Sequence, residues 1–489
     1  MNISNNFFIL PKNKELKEYN SNILSDNQLN IFNKTIVRII SNCIDFNWRR
    51  PYISETYSSV GTGFFINNDG IIITCSHVVD QSYKIQISIP SLSKDKYEAT
   101  ILAIYPERDI AVLKIKDYKN EDYLICGDSD KMKQTDKIIA VGFMLGSEQL
   151  KITTGYINGF NDNKIQMDAI INSGNSGGPL INDNFEVIGI NASKQVGKSI
   201  EGVHYAVPIK QFLINKDIMI TGNNNIIRAP KFGLTYSLLQ KDYLNFLNID
   251  TDKYNNIGLT INEIIPNSPA DKVGLLINDI ILEYNSNKLD NYGMTKINNM
   301  IEKVDINYLI YNSSISDKIN LKILRKIDNT YIEKIFTVDL SINDFYKIKY
   351  YFPPIETVDY LVLCGLILMN LTYNHVQFSN NNNLNIYKNK SKRNNNKVII
   401  TYIINGSNID TLDIITKDSI IKSINNYDIE SLDDVFKILD IIKNKKDKYI
   451  KILTENNNIV FMKIKDMLKE DKVLSIFNGY ESKLNKLFS

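Results

Sequence analysis

Between residues 34 and 207 the chain alternates short apolar runs with polar turns. TIVRII, GTGFFI, GIIITCS, KIQISI, ATILAIY, AVLKI, KIIAVGF and VIGINAS each have the length of a strand, and none carries a long helical period. Many short strands in series predict an all-β barrel or sandwich. IKQFLIN (209–215) reads as a brief closing helix and TGNNNIIRAP (221–230) as a linker, which puts a domain boundary near residue 222. Beyond it the pattern becomes strand, helix, strand in GLTINEIIPNSPADKVGLLINDIILEYNSNKL (258–289). There Ser268 is placed as an N-cap, Pro269 at the first helical position, Asp271 near the positive helix end and Gly274 at C′. Residues 398–443 repeat the theme and end in a helix capped by Ser431, with Asp434 placed as in a capping box. Two related α+β modules in series are expected. SNNNNLNIYKNKSKRNNNK (379–397) is low in complexity and is expected to be a disordered, solvated loop, a plainer reading of its basic cluster than a nuclear address.

A length of 489 residues suggests about three domains. The 57 basic residues nearly balance the 55 acidic ones, so bulk charge supplies no footprint for nucleic acid or a membrane surface, and neither is expected as a partner. The apolar patch near the N-terminus is stopped by Pro11, too early for a signal-peptide core. YLVLCGLILM (360–369) falls well short of the roughly 20 residues a spanning helix needs. Cys43, Cys75, Cys126 and Cys364 are scattered without CxxC spacing, as expected of reduced thiols in an intracellular protein, cytoplasmic or nuclear. No metal-ligand cluster or cofactor motif stands out, and neither is expected.

NSGNSGGPL (172–180) surrounds Ser176 with glycines in a chain that has only 22 of them. Gly174, Ser176 and Gly178 spell G-x-S-x-G, the nucleophile elbow of α/β-hydrolases, but that motif requires a following helix, and Pro179 and LINDNFEVIGI read as turn and strand. A β-barrel protease instead orders its triad His, Asp, Ser along the chain. His77, one of three histidines, closes the apolar run GIIITCSHVV, and Asp109 opens another in ERDIAVLKI, so the order is met. Ser176 is then the nucleophile, His77 its general base and Asp109 the group that fixes the imidazole. Backbone N–H groups of Gly174 and Ser176, with Asn175, are the candidate oxyanion hole.

TGFFINNDGIIITCSHVV, RDIAVLKI and IQMDAIINSGNSGGPLIN together resemble the HtrA/Deg serine proteases. The resemblance implies a mostly β fold: a chymotrypsin-like double β-barrel protease domain (31–221), a first PDZ domain (228–342) and a degenerate PDZ-like domain (345–470), flanked by an extension (1–30) and a tail (471–489). This layout is closest to the plant-type nuclear Deg subgroup. It implies an ATP-independent endopeptidase acting on unfolded or specific polypeptides. Ile170, six residues before the nucleophile, would line the base of the primary specificity pocket and favour aliphatic side chains. Asn191, Ala192 and Ser193 match the strand that pairs with substrate backbone. KFGLTYSLL (231–239) resembles a PDZ carboxylate-binding loop, formed by Phe232, Gly233, Leu234 and Thr235 and receiving peptide C-termini, whereas CGLILMNL (364–371) is a diverged counterpart that reads as a plain buried strand. Digestive relatives carry an Asp where this chain has Asn175, so their charge-pairing activation switch is absent, and loops at 141–156 and 194–202 would be ordered by substrate, PDZ ligands or neighbouring subunits. Family members build trimers and multiples of them. Two other readings are a PDZ scaffold or holdase with a silent protease domain, and a processing protease with one dedicated substrate.

Overall fold

The computed structural model describes residues 24–489 apart from 162, 193–202, 223–224, 255–256, 298–302, 329, 342–343 and 380–381. Ser25 and Gln28 close a reciprocal capping box that starts α1 (Asp26–Thr35), which runs directly into the first strand. That strand, β1 (Ile36–Phe46), joins β2 (Ser54–Phe65), β3 (Ile71–Thr74), β4 (Ser82–Ser88), β5 (Lys96–Tyr105) and β6 (Ile110–Ile115) in the order β5-β4-β1-β2-β3-β6, and β6 pairs back onto β5 to close a barrel. Ile39, Phe65, Ile72, Ile87 and Leu113, all fully buried, share one face of this sheet and fill its interior. A single turn, α2 (Ser76–Val79), sits between β3 and β4.

The second barrel is built from β7 (Lys137–Gly142), β8 (Lys151–Asn161), β9 (Lys164–Met167), β10 (Pro179–Asn182), β11 (Val187–Ala192) and β12 (His204–Pro208), closed in the order β10-β11-β12-β9-β8-β7. After it come α3 (Lys210–Leu213) and α4 (Lys216–Thr221). The stretch read as a linker is partly structural: β13 (Asn225–Ile226) adds in parallel to β5 at Ala103 and Ile104. Two barrels thus meet with the expected chymotrypsin-like architecture, and two α+β modules follow.

In the first module, β14 (Leu234–Leu238), β15 (Leu259–Ile264) and β16 (Ile280–Tyr284) continue into strands Lys318–Ile327 and Thr330–Asp339, with β14 at the edge. Ser268 caps a turn of helix by accepting the Asp271 N–H, and Gly274 takes the expected left-handed backbone. The second module repeats this joint. Ser407 accepts the Asp410 N–H, and Gly365 packs on Ser407 as Gly233 packs on Ser268. Its edge differs: Tyr360–Leu363 pairs along Leu366–Asn370, the counterpart of β14.

Two expectations about this half need correction. Residues 382–393 are not a disordered loop but fold into two 3-10 segments, with Leu384 and Tyr387 buried beside Ile348 and Val376. Apolar side chains spaced three apart within the Asn-rich run supply the anchor its composition hides. The segment 471–489 is not a free tail: Asp471, 2% exposed, accepts hydrogen bonds from Tyr480, Ser482 and Asn485, and Leu484 is fully buried. The second module also touches the protease. The tip of the β1–β2 hairpin places Trp48 edge-on to His375 at 5.1 Å, and Arg49 reaches the Asp418 carboxylate at 3.2 Å.

Candidate active site

The site forms at the ends of three strands. Three isoleucines and Thr74 bury all of β3, and the chain leaves it through Cys75 into α2, which lifts His77 to the surface of the first barrel. Asp109 follows the 3-10 turn Pro106–Arg108 and adopts a left-handed backbone (φ 58), with its N–H returned to the Pro106 carbonyl. Asp is among the residues that tolerate this conformation. The two side chains meet: His77 Nδ1 lies 2.8 Å from one Asp109 oxygen and 2.9 Å from the other, and the His77 backbone N–H donates to Asp109 at 3.0 Å. A carboxylate held at Nδ1 selects the tautomer that leaves Nε2 as a proton acceptor.

The serine turn is fixed against the same strand ends. Ser176, 4% exposed, accepts the Thr62 N–H at its carbonyl at 2.9 Å. Gly177 donates to the Asn191 carbonyl at 2.8 Å, and the Cys75 thiol donates to that carbonyl at 3.3 Å. Side chains are excluded here by geometry: a Cβ on Gly177 would lie 2.1 Å from Thr74 Oγ1, 2.2 Å from the Thr62 carbonyl and 2.9 Å from Cys75 N. On the other side, Gly61 leaves room for Val78, next to His77, and for the Ser176 carbonyl. The fold therefore brings His77, Asp109 and the Ser176 turn to one place across the junction of the barrels.

The oxyanion candidates separate. Gly174 has φ +96, and a Cβ there would strike the Phe143 carbonyl at 2.2 Å. The preceding Ser173 carbonyl accepts the Leu145 N–H at 2.7 Å. Asn175, however, donates its N–H to Asn172 at 3.0 Å, closing the turn, so it is not a donor to the hole. That leaves Gly174 and Ser176.

The substrate-binding candidates also need sorting. The alternation of β9 continues past its end, burying Ile165, Met167, Ala169 and Ile171 and turning Ile170 outward, 54% exposed. Ile170 is thus neither core nor the floor of a closed slot. Asn191 is not a substrate-pairing residue. It is fully buried, its N–H donates to Gly178 and its carbonyl accepts from Gly177, and its Nδ2 donates to the Pro179 carbonyl at 3.0 Å. It braces the serine turn, a role the sequence pattern did not suggest. Ala192 pairs with Tyr205 at the end of β11. Ser193 and the loop 194–202 lie outside the described residues. In the 141–156 segment, β7 and β8 claim both ends and the connecting turn spans 143–150, with Leu145 left-handed and 77% exposed.

Cys75 was not singled out by sequence. Its sulfur, a His77 ring nitrogen and an Asp109 oxygen lie within 4.8 Å of one another. Burial, and after it the Asp109 charge, push the thiol well above its ordinary range. It therefore acts as a protonated donor, bonded to the Asn191 carbonyl.

At the first PDZ loop, Phe232 is buried against Tyr284, and Gly233 (φ +73) packs on Ser268, its carbonyl accepting from Ile265 N–H and Ser268 Oγ. Leu234 and Thr235 open β14 opposite Ile264 and Glu263.

Two six-stranded barrels with a His–Asp pair and a glycine-framed serine at their junction define the chymotrypsin-like class. Residues 61–190 match the trypsin-like peptidase domain, and residues 260–305 the PDZ domain. The chain is 33% identical over 244 residues to a probable periplasmic serine endoprotease DegP-like of Chlamydia pneumoniae, covering 48% of each. It is 34% identical over 252 residues to serine protease HTRA3 of Homo sapiens, covering 47% of this chain and 54% of that one. It thus spans about half the length of the curated relatives it matches. An HtrA-type protease solved with a decapeptide superposes with a TM-score of 0.50 at 22% identity, covering 64% of this chain and 97% of the other, a likeness of fold. The matched part of the chain is similar to HtrA- and DegP-type serine proteases, a trypsin-like peptidase domain followed by a PDZ domain. No helix among the described residues is long and apolar enough to cross a membrane.

Proposed function

We propose that the chain is an ATP-independent serine endopeptidase that cleaves unfolded or specific polypeptides. The observation that carries this reading is the paired contact of Asp109 with both the Nδ1 and the backbone N–H of His77, beside a serine turn from which side chains are sterically excluded. Ser176 attacks the scissile carbonyl as His77 takes its proton, Asp109 stabilises the resulting imidazolium, and the N–H groups of Gly174 and Ser176 hold the oxyanion. Exposed Ile170 offers no counter-ion, which supports a preference for aliphatic side chains before the scissile bond. Ala192, at the end of β11, marks the strand along which substrate backbone would pair.

The open edge of β14 supports recognition of peptide C-termini at the first PDZ module, through Phe232, Gly233, Leu234 and Thr235. In the second module the equivalent edge is covered by Tyr360–Leu363, which supports an assembly role there and fits the layout of the plant-type Deg subgroup. Free cysteines at 43, 75, 126 and 364 support a reducing, intracellular setting. A homo-oligomer, a trimer or a multiple of it, is part of the same proposal.

Incubation with unfolded casein and with a fluorophosphonate probe tests the reading. Wild type should take the probe and degrade casein, and Ser176→Ala should do neither while keeping its fold. Labelling without casein cleavage would select a dedicated processing enzyme, and absence of labelling a PDZ scaffold. In the Ser176→Ala background, apolar C-terminal peptides should bind and lose binding on amidation.

A further inference from the structure

The turn that carries Asp109 is gripped from behind by the first PDZ module. Asp109 points toward His77, while its two predecessors point the other way. Arg108 lies between two aromatic rings: its guanidinium carbon is 3.4 Å from the ring centroid of Tyr311 and 5.5 Å from that of Tyr105. Its Nη2 also donates to the Tyr311 carbonyl at 3.2 Å. Tyr311 ends the helix Ile306–Tyr311 of the PDZ module, and Tyr105 ends β5. Glu107 is held as well. One carboxylate oxygen accepts the Ala229 N–H at 2.5 Å and the other pairs with Lys231 at 2.8 Å. Lys231 immediately precedes the loop Phe232–Thr235.

The module cannot swing freely on these contacts, because the segment after the helix is pinned to the protease. Gln211 of α3 donates to Asn312 at 2.9 Å, and Asn215 accepts from both Ser314 and Ile315. Asp109 itself ends the turn in a left-handed conformation that Asp tolerates, with its N–H closed on the Pro106 carbonyl, so its place is set by the turn that Glu107 and Arg108 anchor. A triad acid displaced by about 1 Å can cost on the order of 10²-fold in rate.

We propose that Arg108 is a positioning residue, clamped by Tyr311, through which the first PDZ module holds Asp109 in register with His77. The protease domain is then catalytically incomplete without that module, whether or not a peptide occupies it. This inference rests on the serine-protease reading above.

The test uses the full chain and a chromogenic peptide with an aliphatic residue before the scissile bond. Arg108→Ala and Tyr311→Leu should each lower kcat by about 10- to 100-fold with KM unchanged, whereas Tyr311→Phe, which keeps the ring, should restore it to near wild type. Should those variants fold poorly, charge exchange gives an independent reading: Glu107→Lys and Lys231→Glu should each lower kcat, and the double variant should recover most of it. Variants within about twofold of wild type, a Tyr311→Phe chain as impaired as Tyr311→Leu, or losses confined to KM would overturn the inference. A wild-type chain inert to the fluorophosphonate would overturn the protease reading and this inference together, whereas a reactive wild type with equally active variants overturns the inference alone.

Discussion

Replacing Gly177 by alanine adds one methyl group at the most crowded backbone position of the site, and its effect can be worked from two terms. The first is conformational. Gly177 has φ +86, in the region where an L-residue pays about 1–2 kcal/mol. The second is steric. The new Cβ would meet Thr74 Oγ1 at 2.1 Å and the Thr62 carbonyl at 2.2 Å, and these two are bonded to each other at 2.7 Å, so neither can swing aside. Forcing a methyl into such a site costs roughly 1–3 kcal/mol. The total is about 2–5 kcal/mol, relieved by moving the Ser176 turn away from His77. Gly146→Ala is the matched control: its φ is +74, but a Cβ there meets nothing within 4 Å, so only the first term applies. Thermal unfolding followed calorimetrically, with fluorophosphonate labelling rates on the same samples, separates the terms. Gly177→Ala should melt well below Gly146→Ala and label at least about 10²-fold more slowly than wild type. Equal melting of the two variants, or wild-type labelling by Gly177→Ala, would refute the steric account.

Asn191→Ala removes the buried amide that holds the Pro179 carbonyl and should destabilise the protease domain by about 1–3 kcal/mol while leaving the mapped cleavage sites unchanged; altered site preference would return Asn191 to the substrate cleft. Ile170→Asp should shift cleavage toward basic residues before the scissile bond, and a wild-type cleavage map already dominated by Lys or Arg would exclude the aliphatic preference. Glu333 accepts hydrogen bonds from Lys322 and Tyr254, which hold its carboxyl down from 4.5 to about 2. The depressed folded value means its stabilisation is complete above pH 4.5 and fades as pH falls to about 2. Melting curves of wild type and Glu333→Gln should therefore converge over that window, and a gap that persists at its acid end contradicts the assignment.

The residues of the proposed triad could be picked out because their signals are local. An apolar strand ending in His77, a strand opened by Asp109 and a glycine cluster around Ser176 each sit within about ten residues of chain. The helix caps at Ser268 and Ser431 were legible for the same reason, since each is a hydrogen bond closed over three residues. Strands β8 and β9 were not picked out. In β8 the sequence KITTGYINGFN carries two glycines, and only Ile157 is buried, so the strand lacks the two-residue alternation that would mark it. Its place is set by neighbours in the barrel, not by its own pattern.

Asn191 shows a different limit. In sequence it belongs to the apolar run VIGINAS and invites assignment by its neighbours' role, yet its partners, Gly177, Gly178 and Pro179, come from a turn more than ten residues earlier. Asn carries both donor and acceptor, and only the three-dimensional count of which carbonyls lack a partner decides that a buried amide is needed here. The two PDZ modules make the same point at larger scale. Gly233 with Ser268 and Gly365 with Ser407 are one local joint used twice; the repeat of the two modules was legible, the joint itself was not. What separates them is a strand added alongside the second. Tyr360–Leu363 read as part of a single apolar run with the strand it pairs, because the turn between them, Cys364 and Gly365, holds only two residues, and Cys364 takes a left-handed backbone that its side chain does not advertise. An edge open in one module and self-covered in the other is a difference of pairing, and pairing is the property that a linear pattern specifies least.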